Sequence, residues 1–133
     1  MAPEKIEDVY ARSRFISQVF VYGDSLESCL VAIVLPDHEY VKKWSSTAEG
    51  ASLGTTGSEE YKSKLKEIIL NDMIREGKRR GLQSFEQVKA IDFFDEAFTI
   101  ENGLMTPTFK SRRYAVEKKY KELFKKIYTE LHR

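Results

Sequence analysis

One lysine of this chain stands in a setting that restricts it. The stretch Asn102-Gly103-Leu104-Met105-Thr106-Pro107-Thr108-Phe109-Lys110-Ser111-Arg112-Arg113 places Lys110 behind a Gly/Thr/Pro loop and ahead of a basic helix. Asn102-Gly103 supplies tight-turn chemistry, Pro107 fixes φ, and the Thr106 and Thr108 hydroxyls flank the bend. A loop of this kind presents an ammonium in a narrow range of positions. Such a compact, strongly hydrated charge suits phosphoryl or carboxylate oxygens on which negative charge develops. From the residues alone, a solvated surface lysine fits the same pattern.

Other chemistries find less support. The chain has neither a Gly-rich phosphate loop ending in Lys-Ser or Lys-Thr nor spaced glycines after a strand. His38 and His132 are its histidines, and neither lies near Cys or paired carboxylates at metal-ligand spacing, so no metal site is expected. Asp92, Asp95, Glu96 and Glu101 read as solubilising residues of strand ends and turns rather than as an acid–base pair. The Tyr and Phe residues recur at strand and helix spacing, which assigns them to core packing rather than to stacking on bases.

With 133 residues, 41% of them hydrophobic and 12% aromatic, the chain can bury one real core. Its longest apolar run, Cys29 to Leu35, is too short to span a bilayer, and no secretion signal is visible. Cys29 is the single cysteine, so no internal disulfide forms and a reducing, intracellular compartment is expected. Net charge is +1, yet from Lys110 to Arg133 nine Lys/Arg face three Glu, giving +6 there and −5 for residues 1–109. The basic end suits an anionic cofactor, an anionic membrane surface or simply a solvated helix face. Nucleic acid is disfavoured by the near-neutral total and the lack of a reader motif.

The elements that must position Lys110 follow from patterning. Pro3 to about Tyr10 predicts an opening helix, with Pro in the first turn and Glu4 and Glu7 near its positive end. A helix so close to Met1 suggests that a larger domain lies upstream. Ile16–Tyr22 and Cys29–Leu35 read as strands separated by Gly23-Asp24-Ser25, pairing antiparallel. Asp37 is placed to cap a short helix through Val41 and Trp44, and residues 45–58 read as a flexible surface loop. Glu59 and Glu60 lead a helix whose Tyr61, Leu65, Ile68, Ile69 and Met73 share a face, with Gly77 and Gly81 marking its end. Phe85 to Phe94 predicts a third strand, and Val116, Tyr120, Leu123, Phe124, Ile127 and Leu131 predict one long amphipathic helix. Together these give a single α+β domain over residues 1–133: a small antiparallel sheet of about three strands packed with helices.

Leu104-Met105-Thr106-Pro107-Thr108-Phe109-Lys110-Ser111-Arg112-Arg113 resembles the carboxy-terminal signature of the adenylate-forming enzymes, in the form carried by long-chain fatty acyl-CoA synthetases. Three more segments resemble the same branch, in the expected order: Ala2-Pro3-Glu4-Lys5-Ile6-Glu7; Val21-Tyr22-Gly23-Asp24-Ser25-Leu26 with Leu30-Val31-Ala32-Ile33-Val34-Leu35-Pro36-Asp37; and Gly81-Leu82-Gln83-Ser84-Phe85-Glu86-Gln87-Val88-Lys89. Many members of the superfamily carry Gly directly before the lysine. Phe109 stands there in this chain, in keeping with the apolar residue of the long-chain branch.

The resemblance implies the mobile C-terminal lid domain of a long-chain fatty acid–CoA ligase, without its larger N-terminal domain. It implies Lys110 as the residue that supports acyl-adenylate formation, with Gly103, Thr106 and Thr108 supporting the loop. Arg112 and Arg113 would contact CoA phosphates or the partner domain. Fatty acid, ATP with Mg2+, and CoA would bind in the full-length enzyme and none to this domain alone, which is therefore expected to be inactive in isolation. The parent would associate with the endoplasmic reticulum, mitochondrial or peroxisomal surface. A different reading from the charge pattern is a free-standing binding module whose basic C-terminal helix docks on a membrane or a partner protein. Burial of Tyr120, Leu123, Phe124 and Ile127 separates the two.

Overall fold

The uninterrupted apolar run near residue 30 becomes the middle strand of a sheet. A computed structural model describes residues 3–24, 26–47 and 59–132. Along the chain lie α1 (Pro3–Tyr10), β1 (Ile16–Gly23), β2 (Leu30–Pro36), α2 (His38–Ser45), α3 (Glu59–Arg79), a 3-10 turn (Ser84–Glu86), β3 (Val88–Phe93), α4 (Arg113–Lys119) and α5 (Lys121–Leu131). Strand order is β1-β2-β3, and β2 is covered on both faces and needs apolar residues on both, which explains a run instead of an alternation. Val31, Ile33 and Leu35 pack with Phe20, Phe98, Leu104, Phe124 and Ile127, whereas Ala32 and Val34 pack with Ile6, Val19, Val21, Ile69 and Met73. Helices α1 and α3 cover the second of these faces, and α4, α5 and the Lys110 segment cover the first.

The α+β class and the three strands agree with the sequence reading, but the sheet is mixed rather than antiparallel. β1 and β2 pair antiparallel with Phe20 opposite Ile33, whereas β3 joins β2 in parallel from Leu30–Val88 to Val34–Phe93. The connection from Pro36 to Val88 is long enough to carry two helices across one face, which is what a parallel pairing requires. Asp37 caps α2 as expected, its Oδ1 accepting from the Tyr40 N–H at 3.1 Å. Ser45 closes α2, and residues 48–58 of the expected surface loop lie outside the described residues.

Two helix boundaries differ from the reading. α3 runs through Gly77, which is buried and touches Gln87 so closely that a Cβ would lie 2.3 Å from its Nε2; the stop comes at Gly81, with φ +84°. The long terminal helix breaks at Tyr120, where φ is −105° and ψ is 17°. Phe124, Ile127 and Tyr128 are buried against the sheet, with Tyr120 and Leu123 packed beside them. That burial removes the apolar face which the docking-helix alternative requires. Among the described residues, no helix is long and apolar enough to cross a membrane.

Candidate functional site

Lys110 sits at the end of a small hairpin that is braced almost wholly by its own backbone. Met105 and Ser111 form an antiparallel bridge, and the Thr106 N–H donates to the Lys110 carbonyl at 2.7 Å. Within the loop the Phe109 N–H donates to the Thr106 carbonyl at 2.8 Å, a turn with Pro107 at the position where its fixed φ fits. Thr106 Oγ1 accepts from the Lys110 N–H at 3.2 Å and lies 3.0 Å from Thr108 Oγ1. Phe109 has φ 65°, the left-handed region that glycine occupies freely and a phenylalanine does not. The three-residue loop Pro107-Thr108-Phe109 thus follows the pattern whose last position normally carries glycine.

The base of the hairpin is tied to the body by side chains. Gln18 lies beyond a register shift in β1 and pairs with both main-chain groups of Phe98, accepting from its N–H at 2.7 Å and donating to its carbonyl at 3.2 Å. Asn102 Oδ1 accepts from the Thr99 and Leu104 N–H groups at 3.0 and 3.1 Å, while its Nδ2 donates to the Ala97 carbonyl at 2.9 Å. Gly103 supplies the φ of +79° that the turn needs. Leu104 is buried beside Phe98, whose ring stacks on Phe94 with centroids 4.6 Å apart. The Arg112 N–H closes the base on the Leu104 carbonyl at 2.8 Å.

Arg113 and Arg112 have different surroundings. The Arg113 guanidinium donates to both oxygens of Glu7 at 3.2 and 3.0 Å and to the Val21 carbonyl at 2.5 Å. It also lies 4.1 Å from the centroid of the Phe20 ring. Glu7 in turn accepts from the Val21 N–H at 2.7 Å. Burial pushes the Glu7 carboxyl above its ordinary range, by more than the Val21 N–H and the Arg113 charge draw it down. The Arg113 charge is therefore directed inward, whereas the Arg112 side chain is exposed and open to an anion.

Between the hairpin, α1 and β1 lies a cleft of about 240 Å³, lined by Glu4, Glu7, Asp8, Val19, Phe98, Met105, Phe109 and Lys110 among others. Three carboxylates on its α1 wall make it a poor phosphate pocket in itself. Lys110 is exposed, with no ion-pair partner for its ammonium among the described residues, so its charge is open to an anion brought from outside the domain. Tyr114 and Phe109, both exposed, flank it in sequence. The acidic residues read as solubilising differ among themselves. Asp92 is buried, its Oδ1 accepting from the Phe93 N–H at 2.8 Å, with Lys66 and Lys126 each 3.4 Å away, whereas Glu96 is exposed and pairs with Lys119 at 2.7 Å. Glu7 and Gln18 are the residues whose roles here sequence reasoning missed. Asn102 carried a signal as the residue before Gly103, but Glu7 and Gln18 lie 106 and 80 residues from their partners and no local spacing links them.

No protein-family model matches the chain. Among solved structures, the chain overlays on the adenylation domain of a carboxylate reductase from Mycobacterium chelonae with a TM-score of 0.78 and 27% identity, over 97% of this chain and 18% of that one. It likewise overlays on the A-PCP didomain of a carboxylic acid reductase from Segniliparus rugosus in complex with AMP, with TM-score 0.78, 27% identity and coverage of 98% and 16%. The fold is that of the C-terminal domain of an adenylate-forming enzyme. In sequence, the chain is 43% identical to human long-chain-fatty-acid–CoA ligase 6 over 97% of its length, and 46% identical to mouse long-chain-fatty-acid–CoA ligase 5 over 98%. The peroxisomal long chain acyl-CoA synthetase 6 of Arabidopsis thaliana is 41% identical over 98% of the chain. The chain spans only 18–19% of the length of these relatives. It is thus a homologue of one segment of the long-chain-fatty-acid–CoA ligases.

Proposed function

We propose that the chain serves as the C-terminal domain of a long-chain fatty acid–CoA ligase and supplies the lysine of the adenylation step. The observation that carries this reading is the geometry at Lys110: a self-braced hairpin, anchored at its base, with an ammonium that no carboxylate among the described residues neutralises. In the proposed reaction a fatty carboxylate attacks the α-phosphate of ATP, pyrophosphate leaves, and an acyl-adenylate forms. Lys110 would reach across to the larger N-terminal domain and offset the charge shared by the carboxylate and the α-phosphate oxygens. The CoA thiol then attacks the acyl carbon, AMP leaves, and the thioester forms. For this second step the domain would rotate, withdrawing the lysine and turning another face to the thiol.

The binding sites for ATP with its Mg2+ and for the acyl chain are assigned to the larger domain. The α1 carboxylates beside Lys110 would repel a nucleotide unless a partner surface brought its own cations, which supports that assignment. Arg112 is the better candidate of the two arginines for a CoA phosphate or an interdomain contact, because Arg113 is engaged within the domain.

The test is Lys110→Ala in the full-length enzyme, assaying ATP–pyrophosphate exchange separately from thioester formation starting with preformed acyl-adenylate. Exchange should fall about 10²- to 10³-fold, the size expected for removing one group that stabilises developing charge, while the thioester step survives. Unchanged exchange would sink the reading.

A further inference from the structure

We propose that Glu7 and Arg113 form a positioning pair that sets the height and angle of the Lys110 hairpin over the domain, so that adenylation depends on them although neither touches substrate. The inference rests on the reading of Lys110 given above.

The hairpin is rigid within itself, since Thr106 holds Lys110 through the bonds at both its N–H and its hydroxyl. Rigidity inside a loop does not fix where the loop sits. On the entering side Gln18 and Asn102 fasten residues 98–104. On the leaving side the chain passes from Lys110 directly into α4, and Arg113 is the first residue of that helix. Its guanidinium reaches α1 through Glu7 and β1 through Val21 and Phe20, so one side chain joins the hairpin's exit to two other elements.

Val21 belongs to an edge strand, and its outward N–H and C=O are both taken, one by Glu7 and the other by Arg113. The Glu7 and Arg113 side chains and the main-chain groups of Val21 therefore close a loop of hydrogen bonds in which neither side chain can shift without opening a main-chain group. A lysine at 113 could not reproduce this, because a single ammonium lacks the planar fork that addresses a carboxylate and a carbonyl together.

A pair of this kind is a poor device for stability alone. Taking two charges largely out of water carries a penalty that attraction offsets only where geometry is good and the remaining groups are satisfied. The upward displacement of the Glu7 carboxyl by burial agrees with this. What the arrangement does supply is a fixed direction for α4, and through it for Lys110.

The experiment uses the full-length enzyme with Arg113→Gln, Arg113→Lys and Glu7→Gln, alongside Lys110→Ala. Pyrophosphate exchange, thioester formation from preformed acyl-adenylate, KM for ATP and fatty acid, and the melting temperature are measured for each. Displacement of a reacting group by about 1 Å costs on the order of 10²-fold. Arg113→Gln should therefore lower kcat for exchange by about that factor with KM nearly unchanged and the thioester step retained. Arg113→Lys should not rescue it, and Glu7→Gln should show a smaller loss confined to exchange. If Arg113→Gln fails to fold, Glu7→Gln decides: loss of exchange alone supports the pair, and full exchange overturns it. The proposal is also overturned if both half-reactions fall together with the melting temperature. Loss in Lys110→Ala with full exchange in Arg113→Gln sinks the positioning pair alone. Full exchange in Lys110→Ala sinks the reading of the lysine and the pair with it.

Discussion

The hairpin from Met105 to Ser111 and the segment from Phe94 to Leu104 that carries it adjoin in sequence and are opposite in construction. The carrying segment is held by the body: Phe94, Phe98 and Leu104 are buried in the aromatic core, and Gln18 grips the Phe98 main chain from β1. The hairpin is held by itself, through main-chain bonds and two threonine hydroxyls, and its Pro107, Thr108, Phe109 and Lys110 are exposed. Stability is thus concentrated beneath the site while the charge that would act stands clear of it. Such a division lets the exposed tip meet a second surface without unfolding what supports it.

The contrast is broken most severely at Leu104. Truncation to Ala in this buried position should cost about 2–5 kcal/mol, read by urea titration of the chain. Lys110→Ala should change stability by less than about 0.5 kcal/mol. If the two variants were alike in stability, the hairpin and its base would be one structural unit and the contrast would fail.

Asn102→Ala comes next. It leaves the Thr99 and Leu104 N–H groups without their acceptor, at about 1–2 kcal/mol, since water reaches the turn and replaces part of the loss. Thr108→Val, on the hairpin side, should stay within about 0.5 kcal/mol. An Asn102→Ala chain as stable as the parent in the same titration would show that the base relies on its apolar contacts alone.

How far the sequence foretold this arrangement depends on the distance over which each feature is decided. Asp37 as a cap, Gly103 as a turn residue and the buried face of α3 rest on neighbours within a few positions, and patterns of that range are visible in a single chain. Lys110 was singled out by the same local signals. The parallel joining of β3 was not visible, because it depends on which end of the sheet α3 returns to rather than on residues 88–93 themselves. Gly77 misled for a related reason: it answers to Gln87, which packs onto it, and not to a helix end. Arg113 read as a contact for CoA phosphates or the partner domain, and its tie to Glu7 within the domain was not visible because the two lie more than a hundred positions apart. Phe109 hid its conformation altogether, since nothing in a phenylalanine announces a left-handed backbone.

Half-buried Glu7 and buried Asp92 sharpen the comparison through pH, since the first serves the hairpin's exit and the second the sheet's far edge. Burial raises Asp92, but the Phe93 N–H and the charges of Lys66, Lys126 and Lys62 outweigh it and hold the group below its ordinary 3.8. Its stabilisation is therefore present above the unfolded value and is lost as pH falls through the lower folded one. Glu7 is shifted above its ordinary 4.5, so its contribution is present below that value and is lost as pH rises through the folded one. The stability difference between wild type and Asp92→Asn should shrink on acidification below about pH 4. The difference between wild type and Glu7→Gln should instead shrink as pH climbs above about 4.5. Urea titrations between roughly pH 3 and 7 read both slopes, and slopes of the same sign would contradict the opposite environments assigned to the two groups.

The smallest expected effect falls on the hairpin tip and tests whether its strain is real. A non-glycine residue in the left-handed region costs about 1–2 kcal/mol, and Phe109 at φ 65° is such a residue, with 74% of its surface exposed and little packing to offset that cost. Phe109→Gly removes the strain and adds about 0.5–1 kcal/mol of unfolded-state entropy to be lost on folding. The balance is a gain of about 0.5–1 kcal/mol, or roughly 2–4 °C in melting temperature for a domain of this size. Phe109→Ala keeps a Cβ, hence most of the strain, and should leave the melting temperature almost where it was. A glycine variant that melts lower than the alanine variant would mean that residue 109 does not hold the left-handed backbone that closes the loop. In that case the hairpin would not be self-braced, and its separation from the base beneath it would have to be abandoned.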